Sequence, residues 1–301
     1  MTLTEVRPPA PVSRPAGSGP RRPRRVAERS ASAGFQAILA AWALVSVLPL
    51  IWAAITAFKP NPEVFASPWQ LPSRWDFGNF ARAWGAASIG QFFVNTVIVV
   101  SGALVLTMLL STMVAYVVAR YEFRGNRVIY YLFAGGLMFP VFLALVPLFF
   151  VVRNLGLLHS HIGLILVYAA YAMPFSVFFL VAFFRTLPTA VAEAALIDGC
   201  SHSGVFFRIM LPMARPGIVS VALFNVLSLW NQYLLPLVLN QGDKSTAVLT
   251  EGLAALVAEQ GYASDWSALF AGMVIAMLPV LVVYLVFQRR VRQGFVAGAL
   301  K

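Results

Sequence analysis

The side chains best suited to chemistry in this sequence are amides and hydroxyls that lie inside long apolar stretches. Four of them fall within an arc of about 120° when placed on a helix at roughly 100° per residue: Asn225, Ser228, Asn231 and Gln232. Polar groups that face lipid cost free energy unless they are paired, so this arc should point into a bundle of helices. There the amides could hydrogen-bond a hydroxyl-rich solute, or they could join neighbouring helices. Both interpretations stay open, and we expect no catalytic residue.

A second pattern fills a polar gap between two apolar stretches, at residues 193–212. It consists of Glu-Ala-Ala, three residues, Gly, nine residues, Ile, one residue and Leu-Pro. The alanines favour a helix, and Gly199 then allows the chain to turn. Ser201 or Ser203 can cap a second short helix, whose apolar side chains recur at helical spacing: Val205, Phe206 and Ile209. We expect these side chains to be exposed and to form a binding surface, the alternative being a hairpin that lies on lipid headgroups.

Several kinds of active chemistry find no support in the sequence. A phosphate-binding P-loop needs Gly-Lys-Ser/Thr, whereas none of the lysines follows a glycine: Lys59, Lys244 and Lys301. Proton-coupled carriers place ionisable residues within their spans, and here every histidine lies in a loop. Coupling to sodium through backbone carbonyls stays open. The single cysteine, Cys200, permits neither an intrachain disulfide nor a cysteine-based metal cluster. We expect no metal and no P-loop nucleotide site on this chain.

The elements that must position these residues are six windows without Asp, Glu, Lys, Arg or His. They run over 35–57, 92–119, 129–151, 162–184, 217–239 and 267–288. Each is longer than the roughly 20 residues that cross a hydrocarbon core of about 30 Å, and backbone in lipid must satisfy its own hydrogen bonds. The sequence is 60% hydrophobic and only 11% charged, with a mean hydropathy of +0.80. We therefore predict an all-α, polytopic membrane bundle of six transmembrane helices.

The basic residues are distributed unevenly about these spans. Most of the 22 Lys and Arg residues lie in the first 34 positions, after the second span, between spans four and five, and after the sixth. An excess of Lys and Arg marks the cytoplasmic side, so we place both termini and the 185–216 loop in the cytoplasm. The spans separate these charges, which argues against a single basic face for nucleic acid despite the net charge of +11. Residues 1–34, rich in Pro and Arg, are predicted to be a disordered tail.

The loop at 193–212 resembles the cytoplasmic coupling loop of permease subunits in bacterial ATP-binding-cassette (ABC) importers. The matching positions, in the fuller form typical of the sugar-importing branch, are Glu193, Ala194, Ala195, Asp198, Gly199, Ile209, Leu211 and Pro212. The resemblance covers nearly the whole chain beyond the tail. It includes Trp230-Asn231-x-Tyr233-x-x-Pro236, Asp265-Trp266 and Gln288-Arg289. Residues 294–301 are similar to the tail of maltose-type permeases of the six-span kind, although Phe295 and Val296 replace the usual Leu-Thr.

The resemblance implies a type I ABC importer permease fold over residues 35–301 and a role in carbohydrate uptake across the bacterial cytoplasmic membrane. It implies three partners: a second homologous permease, two copies of a cytoplasmic ATPase that bind ATP and Mg²⁺, and an extracytoplasmic solute-binding protein. The loop would couple the ATPase to alternating access. The tail residues Gly294, Gly298 and Lys301 would contact the ATPase near its dimer interface.

The solute is less closely defined than the machinery. Tyr168, Tyr171 and Met173 in span four are candidates for stacking on a sugar ring, and Tyr233 joins the polar arc of span five as a candidate for the solute path. Another solute, such as a polyamine or a phosphonate, stays open, and so does an ion-coupled secondary carrier. The sequence thus predicts an importer subunit without identifying its sugar.

Overall fold

The structure is a computed structural model that describes residues 24–263 and 265–299, with side chains for residues 35–258 and 265–287. Every regular element of the described residues is helical. The helices are α1 (Arg24–Thr56), α2 (Glu63–Ala66), α3 (Gly78–Trp84), α4 (Ile89–Arg120), α5 (Asn126–Met138), α6 (Val141–Asn154), α7 (His161–Thr186), α8 (Thr189–Ile197), α9 (His202–Val205), a π-helical turn (Phe206–Met210), α10 (Leu211–Met213), α11 (Arg215–Trp230), α12 (Leu234–Asn240), α13 (Leu249–Ala263) and α14 (Trp266–Ala299).

Of the described residues, 24–51 belong to one unit, and the chain from Trp52 onwards forms a second unit that holds the candidate sites. Residues 1–23 of the predicted tail lie outside the described residues. Helix α1 begins at Arg24, so the backbone of residues 24–34 is helical where the sequence predicted disorder. The last proline of the tail is Pro23, and the Arg, Ala and Glu residues that follow it favour a helix.

Four stretches of helix are individually long and apolar enough to cross a membrane: Phe35–Thr56, α4, α7 and Trp266–Phe287. Two further spans are present if bent helix pairs are counted as one span each. One of these pairs, α5 and α6, is bent by 106° and contains the predicted third window. The predicted fifth window is also discontinuous, because residues 231–233 separate α11 from α12.

Prolines accompany both interruptions. Pro140 lies between α5 and α6, and the preceding Phe139 is extended, as expected for a residue before proline. Pro236 lies in the first turn of α12, where its missing N–H costs no helical bond. Pro147 and Pro174 lie inside α6 and α7 without ending them. A proline therefore accompanies each interruption of a predicted span but does not by itself cause one.

Helices α4 and α7 form the centre of the second unit. They approach closely at Gly102, where a Cβ would lie 2.8 Å from the Ile165 side chain. The buried Thr107 hydroxyl donates to the Ala169 carbonyl of α7, at 3.5 Å. One apolar cluster surrounds Tyr168 near one end of this pair, and another surrounds Phe184 near the other end. The second cluster is the one on which the 193–212 loop rests.

A polar network ties α3 to the start of α14 at the end away from that loop. Asn79 is fully buried, and its amide donates to the carbonyls of Ala57 and Lys59 at 2.9 Å each. Arg82 donates to Asn79 and, through Nε at 2.8 Å, to Asp265. Partial burial acts to raise the pKa of Asp265, but hydrogen bonds from Arg82 and from the Ala268 amide outweigh it and hold that pKa below its ordinary value. The network fixes where the last span begins.

Candidate functional site

The first half of the 193–212 loop is a short helix that ends in a specific capping motif. Gly199 has a φ of +85°, the positive φ expected at this turn, and no atom lies within 4 Å of the position that a Cβ would take. The Gly199 amide donates to the Leu196 carbonyl at 3.1 Å, and the Cys200 amide donates to the Ala195 carbonyl at 3.0 Å. These two bonds define a Schellman motif, which requires the left-handed conformation that glycine adopts without strain. The spacing from the alanines to Gly199 is thereby explained.

The second half of the loop leads directly into α11. The Ser201 hydroxyl accepts a hydrogen bond from the Gly204 amide at 3.1 Å and caps α9, as the sequence predicted. Helix α9, the π-helical turn and α10 follow one another as far as Met213, and the chain then bends by 72° into α11. The loop is therefore continuous helical structure on both sides of Gly199.

The loop is anchored by the apolar residues that were expected to be exposed. Val205 and Phe206 are buried, so that expectation is wrong for both of them. The Phe206 ring lies 4.9 Å from the ring of Tyr116 at the end of α4, and Tyr116 lies 5.7 Å from Phe184 of α7. Ile209 and Leu211 are half-buried against the same cluster. Full burial of Val205 and Phe206 stabilises the loop by about 1.5–3 kcal/mol each, and the half-buried pair contributes less.

Two polar contacts add to this anchor. Tyr121 Oη and His202 Nδ1 lie 3.0 Å apart, and Arg120 Nη2 donates to the Leu187 carbonyl at 2.6 Å. Both contacts join the end of α4 to residues that flank α8. The loop should therefore move together with the ends of α4 and α7 rather than independently of them.

The surface that the loop leaves exposed has an apolar tip and charged flanks. Ile197 is 86% exposed and Phe207 is 52% exposed. Glu193 and Asp198 are exposed on the α8 side, and a concave surface of about 600 Å³ runs from Asp198 across Gly199 to Phe207. Exposed apolar side chains within a polar rim are typical of a protein-binding surface. Sequence periodicity missed both Ile197 and Phe207. The only signal for Ile197 was its position two residues before the turn at Gly199, and Phe207 had no signal beyond following Phe206.

A second candidate site is a cavity of about 600 Å³ between the α5–α6 bend, α7 and α11. Three residues predicted for the solute path line it: Tyr171, Asn225 and Ser228. Tyr171 and Ser228 are exposed, whereas Asn225 is buried and donates to the Ser176 hydroxyl of α7 at 2.7 Å. Asn225 thus joins two helices, the alternative that the sequence left open, while it also borders the cavity.

Two members of the polar arc, Asn231 and Gln232, lie beyond the end of the helix that holds Asn225. Asn231 and Gln232 lie in the break between α11 and α12, so the single arc predicted for a continuous span is wrong. Asn231 donates to the Leu227 carbonyl at 2.7 Å, and the Gln232 carbonyl accepts from the Thr250 hydroxyl at 2.7 Å. Tyr233 lines a different cavity, of about 400 Å³, between the break, α4 and α13.

Other predicted residues have packing roles or lie beyond the described atoms. Tyr168 is buried in one apolar cluster and Met173 packs against the other, so neither is available for stacking on a solute. Gly294 and Gly298 lie within α14, in the part whose side chains are not described, and Lys301 lies outside the described residues. The predicted tail contact stays a prediction.

Comparison with known proteins identifies the family. Residues 107–296 match the binding-protein-dependent transport system inner membrane component family. The diacetylchitobiose uptake system permease protein NgcG of Streptomyces coelicolor is 51% identical over 274 residues, which cover 91% of this chain and 90% of that protein. The arabinooligosaccharides transport system permease protein AraQ of Halalkalibacterium halodurans is 33% identical over 86% of this chain and 92% of that protein.

The fold is shared with a solved transporter. A chain in the crystal structure of a bacterial ABC transporter involved in the import of the acidic polysaccharide alginate aligns with a TM-score of 0.75 at 22% identity, over 91% of this chain and 99% of that chain. The predicted all-α permease fold is confirmed by this match and by the apolar helices. With its apolar spans and these relatives, the chain belongs to the family of binding-protein-dependent transport system inner membrane components.

Proposed function

We propose that this chain is the permease subunit of an ATP-driven, binding-protein-dependent importer for a sugar or sugar derivative. The observation that carries the proposal is the 193–212 loop, which is capped at Gly199, anchored to α4 and α7, and exposed at Ile197 and Phe207. A rigid loop with an apolar tip is suited to receive a motion made in another protein and pass it to the spans. The choice of a sugar is supported by relatives named for diacetylchitobiose and arabinooligosaccharides.

The proposed assembly contains a second homologous permease, two copies of a cytoplasmic ATPase and an extracytoplasmic solute-binding protein. ATP and Mg²⁺ would bind to the ATPase, because no lysine of this chain follows a glycine as a P-loop requires. The loop and both termini are placed in the cytoplasm on the distribution of basic residues. The tail residues Gly294, Gly298 and Lys301 would add a contact near the ATPase dimer interface.

In the proposed mechanism, closure of the ATPase pair displaces the exposed face of the loop. The buried contact between Phe206 and Tyr116 and the contact between Tyr121 and His202 transmit the displacement to α4. Because α4 packs along α7, the two helices move together and change access to the cavity that Tyr171 and Ser228 line. The loop therefore acts as a lever and needs no chemistry of its own.

The cavity at Tyr171 is the proposed place for the solute to pass. Tyr171→Ala should raise the solute concentration that gives half-maximal uptake by roughly 2- to 10-fold, since an aromatic contact contributes about 0.5–1.5 kcal/mol. Tyr131→Ala is the matched control, because Tyr131 is a 67% exposed tyrosine of α5 that does not line the cavity. Equal uptake by both variants would remove the cavity from the path.

The function is tested by reconstituting the chain with its ATPase, second permease and binding protein in liposomes. Uptake of labelled diacetylchitobiose or an arabinooligosaccharide should require ATP and the binding protein. Uptake by the isolated chain under a sodium gradient, without ATP, would instead make it a secondary carrier. ATP-dependent uptake of a polyamine or a phosphonate, with no response to any sugar, would keep the importer and overturn the choice of solute.

A further inference from the structure

A third cavity, of about 600 Å³, lies where α4 ends, α5 begins and α7 ends. Its lining includes three guanidinium groups and one carboxylate: Arg120, Arg127, Arg185 and Glu122. Apolar side chains also line it, and two of them, Phe123 and Val128, are exposed. The excess of positive charge favours an anionic occupant. No residue that lines this cavity also lines the concave surface of the 193–212 loop or the proposed solute cavity.

The arginines retain donors that the protein does not use. Arg120 donates through Nη2 to the Leu187 carbonyl, but its Nε is buried without a hydrogen-bond partner. The Arg185 guanidinium carbon lies 5.1 Å from the centre of the Tyr130 ring, which positions it without engaging its N–H groups in an ion pair. Within the described part of the chain, neither Arg127 nor Arg185 is in a salt bridge. Guanidinium groups with free N–H donors are well suited to bind phosphate.

The N-terminal end of α5 adds to the positive electrostatic potential of this cavity. Gly125 is the N-cap residue of this 13-residue helix, no side chain caps the helix, and its first turn contains no acidic residue. The Asn126 amide donates to the Phe123 carbonyl at 3.1 Å. The next N–H groups of the first turn lack intrahelical partners, and the helix dipole is positive at this end. Gly125, Asn126, Arg127 and Val128 all line the cavity, so the N-terminal end of α5 faces the same occupant as the arginines.

The apolar part of the lining distinguishes a lipid from a free anion. Phe123 is 40% exposed and Val128 is 69% exposed beside the arginines. The cavity also lies at the ends of two apolar spans, α4 and α7, the level at which lipid phosphates are found. A site with cationic donors on one side and exposed apolar side chains on the other matches a phospholipid, whose phosphate and acyl chains need both.

We propose that this cavity binds the phosphate group of an anionic phospholipid. The three arginines and the N-terminal end of α5 contact the phosphate, and the acyl chains pack along Phe123 and Val128. The site is independent of the transported solute. It also lies next to the anchor of the docking loop, because Arg120 bonds the Leu187 carbonyl just before α8.

The test is a thermal-unfolding titration of the full chain in a neutral detergent with dioleoyl-phosphatidylglycerol, dioleoyl-phosphatidylcholine or inorganic phosphate. Phosphatidylglycerol should raise the melting temperature, and phosphatidylcholine should not. Arg127→Gln and Arg185→Gln should each raise the phosphatidylglycerol concentration needed for the half-maximal shift by about fivefold, and should do so without lowering the melting temperature in lipid-free detergent. High salt should weaken the shift.

Arg124→Gln is the matched control, since Arg124 is an exposed arginine of the same loop that does not line the cavity. It should retain the wild-type response. An equal loss in all three variants would reduce the effect to general surface charge and overturn the site. An equal shift with inorganic phosphate alone would mean that the cavity binds a free anion rather than a lipid. No shift with any additive would mean that it binds neither. Both results would contradict the proposal.

Discussion

Replacing Gly199 by alanine tests whether the geometry of the docking loop determines its affinity for the ATPase. Nothing lies within 4 Å of the added Cβ, so the substitution strains only the backbone, whose φ is +85°. A left-handed conformation costs an L-residue roughly 1–2 kcal/mol. The strain is relieved if the end of α8 unwinds and breaks the two capping hydrogen bonds to the Ala195 and Leu196 carbonyls. The strain lowers the ratio of capped to uncapped loop about 5- to 30-fold. Because only the capped fraction can dock, the apparent dissociation constant for the ATPase should rise by at most that factor.

The assay is a titration of the purified ATPase on the chain in nanodiscs, with thermal unfolding measured in parallel. Gly156→Ala is the control, because Gly156 also has a positive φ, of +68°, with open space around it, but lies in the turn before α7 and far from the loop in the chain. It should lose similar stability and keep wild-type affinity. Gly199→Asn should retain most of the affinity, since asparagine tolerates this conformation. If Gly199→Ala binds the ATPase with wild-type affinity while its melting temperature falls as much as that of Gly156→Ala, the geometry of the loop does not determine its affinity for the ATPase.

Three further predictions concern the loop anchor and the polar contacts at the opposite end of the bundle. Phe206→Ala should lower the melting temperature and weaken ATPase binding, since truncating a buried phenylalanine costs about 3–5 kcal/mol; the exposed Phe207→Ala should weaken ATPase binding at an unchanged melting temperature. Because the pKa of Asp265 is lower in the folded state, its ionised carboxylate stabilises the fold at pH values above the unfolded-state pKa of about 3.9. This stabilisation is lost as the pH falls from that value through the folded-state pKa. As the pH is lowered across that range, the melting temperature of Asp265→Asn should fall less than that of the wild type. Burial raises the pKa of Glu251, so Glu251→Gln, which can keep the 2.9 Å bond from Asn240, should raise the melting temperature at neutral pH; a fall would mean that the charge itself holds the loop before α13.

The local geometry of the docking loop could be predicted from the sequence, but its packing could not. The alanines, Gly199 and Ser201 determine a helix, a turn and a cap through interactions between near neighbours. The burial of Phe206 depends on Tyr116, which comes from α4 and is distant in sequence. Helical spacing indicates which residues share a face, but it does not say which neighbour covers that face. The apolar anchor was therefore mistaken for the docking surface.

The spans show the same division between local and long-range information. A charge-free window predicts that a segment can lie in lipid, but not that it is one straight helix. Pro140 and Pro236 accompany interruptions whereas Pro174 lies inside a continuous helix, so the presence of a proline does not distinguish interrupted spans from continuous ones. The predicted polar arc assumed a continuous helix through residue 232, whereas α11 ends at Trp230 and both Asn231 and Gln232 lie in the break that follows it. The cavity that Tyr171 and Ser228 line depends on the bend between α5 and α6, and hydropathy does not predict that bend.

The break between α11 and α12 also constrains the order in which the protein can be assembled in the membrane. At the break, the Gln232 carbonyl accepts a hydrogen bond from the Thr250 hydroxyl, and the Trp230 indole N–H donates to the Ala276 carbonyl of α14. Both partners are synthesised after the break itself. An unpaired carbonyl in hydrocarbon is unfavourable, so α11 and α12 should remain beside the insertion machinery until α13 and α14 have emerged. Nascent chains that stop before Thr250 should accordingly be retained there and degraded, whereas chains that extend through α14 should be released into the bilayer.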